Sequence, residues 1–235
     1  MAEIIPSDAV RAIQDGVKTD IISVRNRDFI TRPVYLPPFE PLPDTLAVHT
    51  LFGVAIFCST FPKDRIAFIH IDSAKDVYVI GELDEQSQKR PCYLHATLFQ
   101  AKQFRFNQAF KQEEFIIGIQ TGFVDNANRQ KFLQIAGNVE TEGSTRQSDD
   151  GVSQKITIRQ GTSLEAEAEF KNPVWLAPFR TFPEIDQPES PFIFRVTGDG
   201  QLALHETLET EWQLKAIQAI YDYLAAHVKD VQILH

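Results

Sequence analysis

Two cysteines and one methionine in 235 residues leave little for sulfur chemistry to do, and neither cysteine belongs to a C-x-x-C pair. Free thiols are expected over a disulfide, and the spacing is not that of a C-x-x-C site. Cys58 and Cys92 lie among apolar neighbours and read as buried free thiols of a reducing compartment, so a cytoplasmic location is expected. Long hydrophobic runs are missing as well. The longest, residues 51–58, falls far short of the ~20 apolar residues that span a bilayer. Residues 1–10, MAEIIPSDAV, carry no basic segment ahead of an apolar one, so neither a membrane span nor a secretory signal is expected. Phosphate-binding and nucleophile motifs are absent too: there is no G-x-x-x-x-G-K-[ST], no G-x-G-x-x-G and no G-x-S-x-G. No cofactor is expected, and no repeat of solenoid period occurs.

What is present begins with phenylalanine. Eighteen of them against a single methionine point to a well-defined aromatic interior. The net charge of −9 is unevenly spread. Residues 1–88 hold 8 basic and 13 acidic side chains, 89–159 hold 10 and 7, and 160–235 hold 5 and 12. So acidic a chain repels bulk nucleic acid and anionic membrane, although the basic middle third could still meet a phosphate backbone.

Hydrophobic periodicity predicts an α+β chain with mostly antiparallel sheets, a helical pair between them and a C-terminal helix packed on the sheet. A short helix at residues 7–16 starts from Ser7 or Asp8 and stops at Gly16. Two strands follow within 20–36, then a polyproline connector at 37–43 and a helix over 45–57. Residues 65–72, 76–83 and 91–99 have the spacing of an antiparallel meander. The helical pair is carried first by Phe104, Phe106, Ala109, Phe110, Phe115 and Ile119, then by Phe132, Leu133, Ile135 and Ala136 after a cap at Asp125. Residues 142–151 are polar and turn-rich and mark the joint between an N-terminal region, 1–142, and a β-rich C-terminal region, 152–235, unless the two are one continuous domain. Residues 152–160 alternate as a half-buried strand, whereas 164–170 suit a helix or an exposed strand equally. The GDG at 198–200 is a hairpin turn, and Trp212, Ala216, Ile217, Ile220 and Leu224 stripe a last helix expected to cross the C-terminal sheet.

Three groups of residues could carry function. The first is the stretch NPVWLAPFRTFPEIDQPESPFIFRV, residues 172–196, in which two strands flank a loop stiffened by Pro183, Pro188 and Pro191. Arg180 and Arg195 end the strands, Glu184, Asp186 and Glu189 lie between them, and at least one arginine is expected to pair with a loop carboxylate. Trp175 and Phe179 are expected to be exposed and covered by self-association. The second group, Lys102, Arg105, Lys111, Arg129 and Lys131, interleaves with aromatics and could stack and neutralise single-stranded nucleic acid, or could simply be the wet side of a helix. The third is His70, Asp72 and His95, which would suit a metal ion if the meander brought them together.

The succession DDGVSQKITIRQG, LAPFRTFPEIDQPESPFIFRV and a closing helix with Trp212 resembles the YfdQ-like phage and prophage proteins, a family of unknown function. The resemblance implies a phage accessory protein of a bacterial host; it implies no activity, and no catalytic residue comes with it. Two classes of reading follow. One is a non-enzymatic homo-oligomeric interaction protein of phage replication, recombination or counter-defence, with a phage or host protein as further partner, or alternatively a single-strand binder. The other is a metal-dependent hydrolase.

Overall fold

The computed structural model describes residues 44–84, 88–99, 104–139, 172–197, 200–207 and 210–235 with their side chains, and 21–24, 27–30, 153–160 and 164–171 as backbone. The helix expected at 7–16, the connector at 37–43 and the joint at 142–151 lie outside these residues. The chain divides into two compact units, Met1–Leu42 and Pro43–His235. In the first, β1 (Ile21–Val24) and β2 (Arg27–Ile30) form an antiparallel hairpin with Val24 opposite Arg27.

The second unit is α+β, as the periodicity predicts. Its first sheet contains β3 (Leu46–Val48), β4 (Ile66–Ile71), β5 (Asp76–Gly81) and β6 (Cys92–Thr97). The meander β4-β5-β6 is antiparallel, and Ile69, Ile71, Val77, Val79, Leu94 and Ala96 alternate onto its buried face. The expected helix over 45–57 is corrected here. Residues 46–48 pair in parallel with β6 instead, satisfying an edge that would otherwise stay open. Thr50 then caps α1 (Leu51–Thr60), its side chain accepting from the Gly53 N–H at 3.0 Å.

A second correction concerns the helical pair. Its first helix does not begin at Phe104, because Asn107 takes φ 62°, a left-handed conformation that asparagine tolerates and a helix does not. Asn107 donates its N–H to the Leu204 carbonyl and accepts from the Glu206 N–H through Oδ1. That tether lays β7 (Ala109–Phe110) against a strand of the second sheet. Only then do α2 (Gln112–Gly122) and α3 (Ala127–Asn138) form, with Asn126 and not Asp125 as the cap of α3.

Beyond them β8 (Ser153–Gln160) and β9 (Leu164–Lys171) make a two-stranded ribbon, so residues 164–170 resolve as strand. The second sheet adds β10 (Val174–Leu176), β11 (Ser190–Val196) and β12 (Leu202–Glu206), in the order β10-β11-β12-β7. Phe192, Phe194, Leu202 and Leu204 meet Phe115, Ile119, Phe123 and Phe132 of the helical layer in one apolar cluster. Full burial is worth roughly 1.5–3 kcal/mol for each such side chain, and eight of the 18 phenylalanines belong to this cluster or pack against it.

The last helix, α4 (Glu211–His227), packs where the sequence did not place it. Ile220 and Leu224 join Ile69, Val77, Val79 and Leu94 in the core of the first sheet, together with Leu51 and Val54 of α1. The reason is the strand that follows it: β13 (Gln232–Leu234) runs in parallel beside β4 and holds α4 over that sheet. The first sheet therefore reads β13-β4-β5-β6-β3.

Candidate interaction site

Within residues 180–189 one glutamine side chain adds a set of hydrogen bonds to the stiffness of the prolines. Gln187 accepts from the N–H groups of Arg180 (3.0 Å) and Thr181 (3.1 Å) through Oε1, and its Nε2 donates to the carbonyls of Thr181, Phe182 and Ile185. The loop is further fixed to the first sheet by Thr181, which donates to the Ala74 carbonyl at 2.6 Å, and by Phe182, which is fully buried in that sheet's core.

Arg180 is buried. Its guanidinium donates to Glu206 at 2.9 Å and to Ser190 Oγ at 2.5 Å, and lies 3.7 Å from the ring centroid of Trp212. Nε of the same group is buried without a hydrogen-bond partner. Burial pushes this guanidinium down to about 10, with the Glu206 charge opposing the shift, so it stays protonated at neutral pH. The carboxylate partner of Arg180 is thus Glu206 of β12 and not a loop carboxylate, because the side chain turns inward across β11 to reach it. Arg195 sits half-buried on β11 opposite Ala203.

The loop carboxylates face helix starts instead. Glu184 accepts from the Phe52 N–H at 3.2 Å in the first turn of α1, where the helix dipole favours negative charge. Glu189 accepts from Asn126 Nδ2 at 2.9 Å and Asn128 Nδ2 at 3.2 Å at the start of α3. Asp186 is exposed.

The meander does not bring the candidate metal ligands together. His70, Tyr78 and His95 are register partners on three adjacent strands, and Tyr78 stands between the two imidazoles. Strands lie ~4.8 Å apart, so the two histidines are roughly 10 Å apart, too far to share one ion at ~2 Å bonds. The rings stack: Tyr78 and His95 are 4.3 Å apart between centroids, Tyr78 and His70 6.4 Å. Asp76, rather than Asp72, pairs with His95 Nε2 at 2.9 Å. Burial raises the Asp76 carboxyl, but hydrogen bonds with His95, Thr97 and Ser73 outweigh that and hold it below its ordinary value. Among the described residues, no three His, Cys, Asp or Glu side chains could hold a metal ion. Cys58 is buried and free, its thiol pushed up to about 11 by desolvation, whereas Cys92 is free and only half-buried.

Of the basic residues, Arg129 is spent inside the fold. It donates to the carbonyls of Gln120 and Phe123 at the end of α2 and pairs with Asp125 at 2.7 Å. Arg105 pairs with Glu114 at 3.7 Å and lies over the Phe110 ring. Lys111 and Lys131 are exposed, and Lys102 lies outside the described residues. Lys131 and Glu189, from two separately predicted groups, meet at an open groove of about 250 Å³ between α3 and β10, with Phe132, Ile135, Val174 and Trp175 in its wall.

Trp175 is 46% exposed and Phe179 52% exposed, and the outer side of α1 leaves Phe52 56% and Ile56 47% exposed. Sequence reading missed α1 as a surface, although residues 45–62 contain no charged side chain. It missed Gln187, Ser190 and Asn172 as well, whose roles depend on contacts that no local pattern announces. No family model, curated protein or solved structure matches the chain. No helix among the described residues is long and apolar enough to cross a membrane.

Proposed function

We propose that the protein is a non-enzymatic, self-associating interaction protein whose contact surface is the outer side of α1. The observation that carries this reading is the uncharged stretch 45–62 in a chain of net charge −9, folded so that Phe52 and Ile56 stand half exposed one turn apart. A helix apolar all round is ordinarily covered. Two copies of an acidic chain repel least where neither carries charge, so an uncharged face is the natural meeting surface. Glu184 accepts from the Phe52 N–H and so ties the start of α1 to the neighbouring loop. The sequence resemblance supplies the setting: an accessory protein of a phage or prophage, in replication, recombination or counter-defence, in the cytoplasm of a bacterial host.

Light scattering over a wide concentration range tests this. Wild type should give a multiple of the chain mass, and Phe52→Glu combined with Ile56→Lys should give the monomer with an unchanged circular dichroism spectrum. A wild-type monomer at every concentration would remove the proposal.

A further inference from the structure

The groove between α3 and β10 lies beside a strand edge whose hydrogen-bonding direction can be worked out. Asn172 marks it. Its Nδ2 donates to the Phe194 carbonyl at 3.1 Å and its Oδ1 accepts from the Phe194 N–H at 2.8 Å. The backbone groups of Phe194 therefore face β10, and alternation turns those of Phe192 and Ser190 the same way. Pro191 faces β12, where Thr207 Oγ1 donates to its carbonyl at 3.1 Å. Val174 and Leu176, opposite Phe192 and Ser190, are then the residues of β10 that bond to β11. Trp175, opposite Pro191, points its N–H and C=O away from the sheet.

That open edge is short and bounded. At Ala177 the outward carbonyl already accepts from the Val124 N–H at 2.9 Å, and on the other side Pro173 has no N–H to offer. By the same alternation the Pro173 carbonyl and the Ala177 N–H also face outward, but only Trp175 offers a donor and an acceptor together without a partner among the described residues, directly beside the groove. Phe132, Ile135 and Val174 give the groove an apolar wall. At its rim Lys131 is exposed and has no ion-pair partner among the described residues, while the Glu189 carboxylate is already held by two asparagine amides.

We propose that this groove binds an extended peptide segment of a partner protein, adding it to the edge of β10 through the Trp175 backbone. An aliphatic side chain of the segment fills the groove, and a neighbouring acidic side chain meets Lys131. Main-chain pairing supplies affinity and the side-chain pocket supplies selectivity, as in strand addition generally. A donor and an acceptor on a single residue match a peptide unit. A nucleic-acid strand would find a single free lysine there, with a carboxylate opposite it. The surface is separate from the outer side of α1, so its occupancy does not rest on self-association.

The probes are capped seven-residue peptides with a central leucine followed by aspartate or by lysine, and the aspartate peptide N-methylated at the leucine nitrogen. The readout is the NMR signal of the Trp175 indole and backbone, assigned with Trp175→Phe; the chain has only two tryptophans. The aspartate peptide should shift these signals at sub-millimolar to millimolar concentration, and methylation should weaken it about tenfold or more by removing one main-chain hydrogen bond. Lys131→Glu should reverse the preference towards the lysine peptide. The Phe52→Glu, Ile56→Lys variant should bind the aspartate peptide like wild type, so that failure of either proposal leaves the other standing. Absence of any shift at Trp175 with every peptide, or equal binding of the methylated one, would overturn strand addition.

Discussion

Arg180 is the one buried charged side chain among the described residues, and its partner is not equally buried: the side chain of Arg180 is 6% exposed, that of Glu206 37%. Removing each partner should therefore have unequal effects. Glu206→Ala strands a cation away from water and should lower the unfolding free energy by about 3 kcal/mol. Arg180→Met leaves a carboxylate that can turn to solvent and keeps an unbranched stem over Trp212, so a loss of about 1–2 kcal/mol is expected. Urea unfolding at neutral pH compares the two, and a larger loss for Arg180→Met would mean that the contacts to Ser190 and Trp212 outweigh the stranded charge. Arg180→Lys is no substitute for the native residue, since an ammonium cannot reach Glu206 and Ser190 in one plane while lying flat on an indole.

At the scale of one element, the loop 180–189 shows what a sequence displays and what it conceals. Its prolines mark an irregular, stiff segment, and Phe182, Phe192 and Phe194 are recognisable as core by their type and spacing. Gln187 is not, because an exposed glutamine in any loop has the same letters around it; only the folded path brings two N–H groups and three carbonyls within its reach. Gln187→Glu should loosen the loop, since a carboxylate keeps the acceptor for Arg180 and Thr181 but loses every donor and faces three carbonyl oxygens with negative charge. A stability loss of about 2 kcal/mol is expected from the unmet groups, with faster limited proteolysis at residues 183–189. Proteolysis at the wild-type rate would place the rigidity in the prolines. The meander was legible for the converse reason: alternation in Ile69, Ile71, Val77 and Val79 is local. The short strands β3, β7 and β13 were not, because two or three residues carry no period and take their form from the edge they cover.

Over the whole molecule, chain order and sheet order part company. β7, which precedes the helical pair, completes the second sheet, and β13, at the far end, completes the first. Deleting residues 229–235 removes β13 together with the ion pair of Lys63 and Asp230 at 2.9 Å, and uncovers the edge of β4. The truncated protein should melt at lower temperature and aggregate through that edge; a soluble variant with the wild-type melting temperature would show β13 to be dispensable. β13 also bears on synthesis. A ribosome delivers β4 long before β13, so during translation the first sheet must wait with one flank bare until residues 232–234 have emerged to close it.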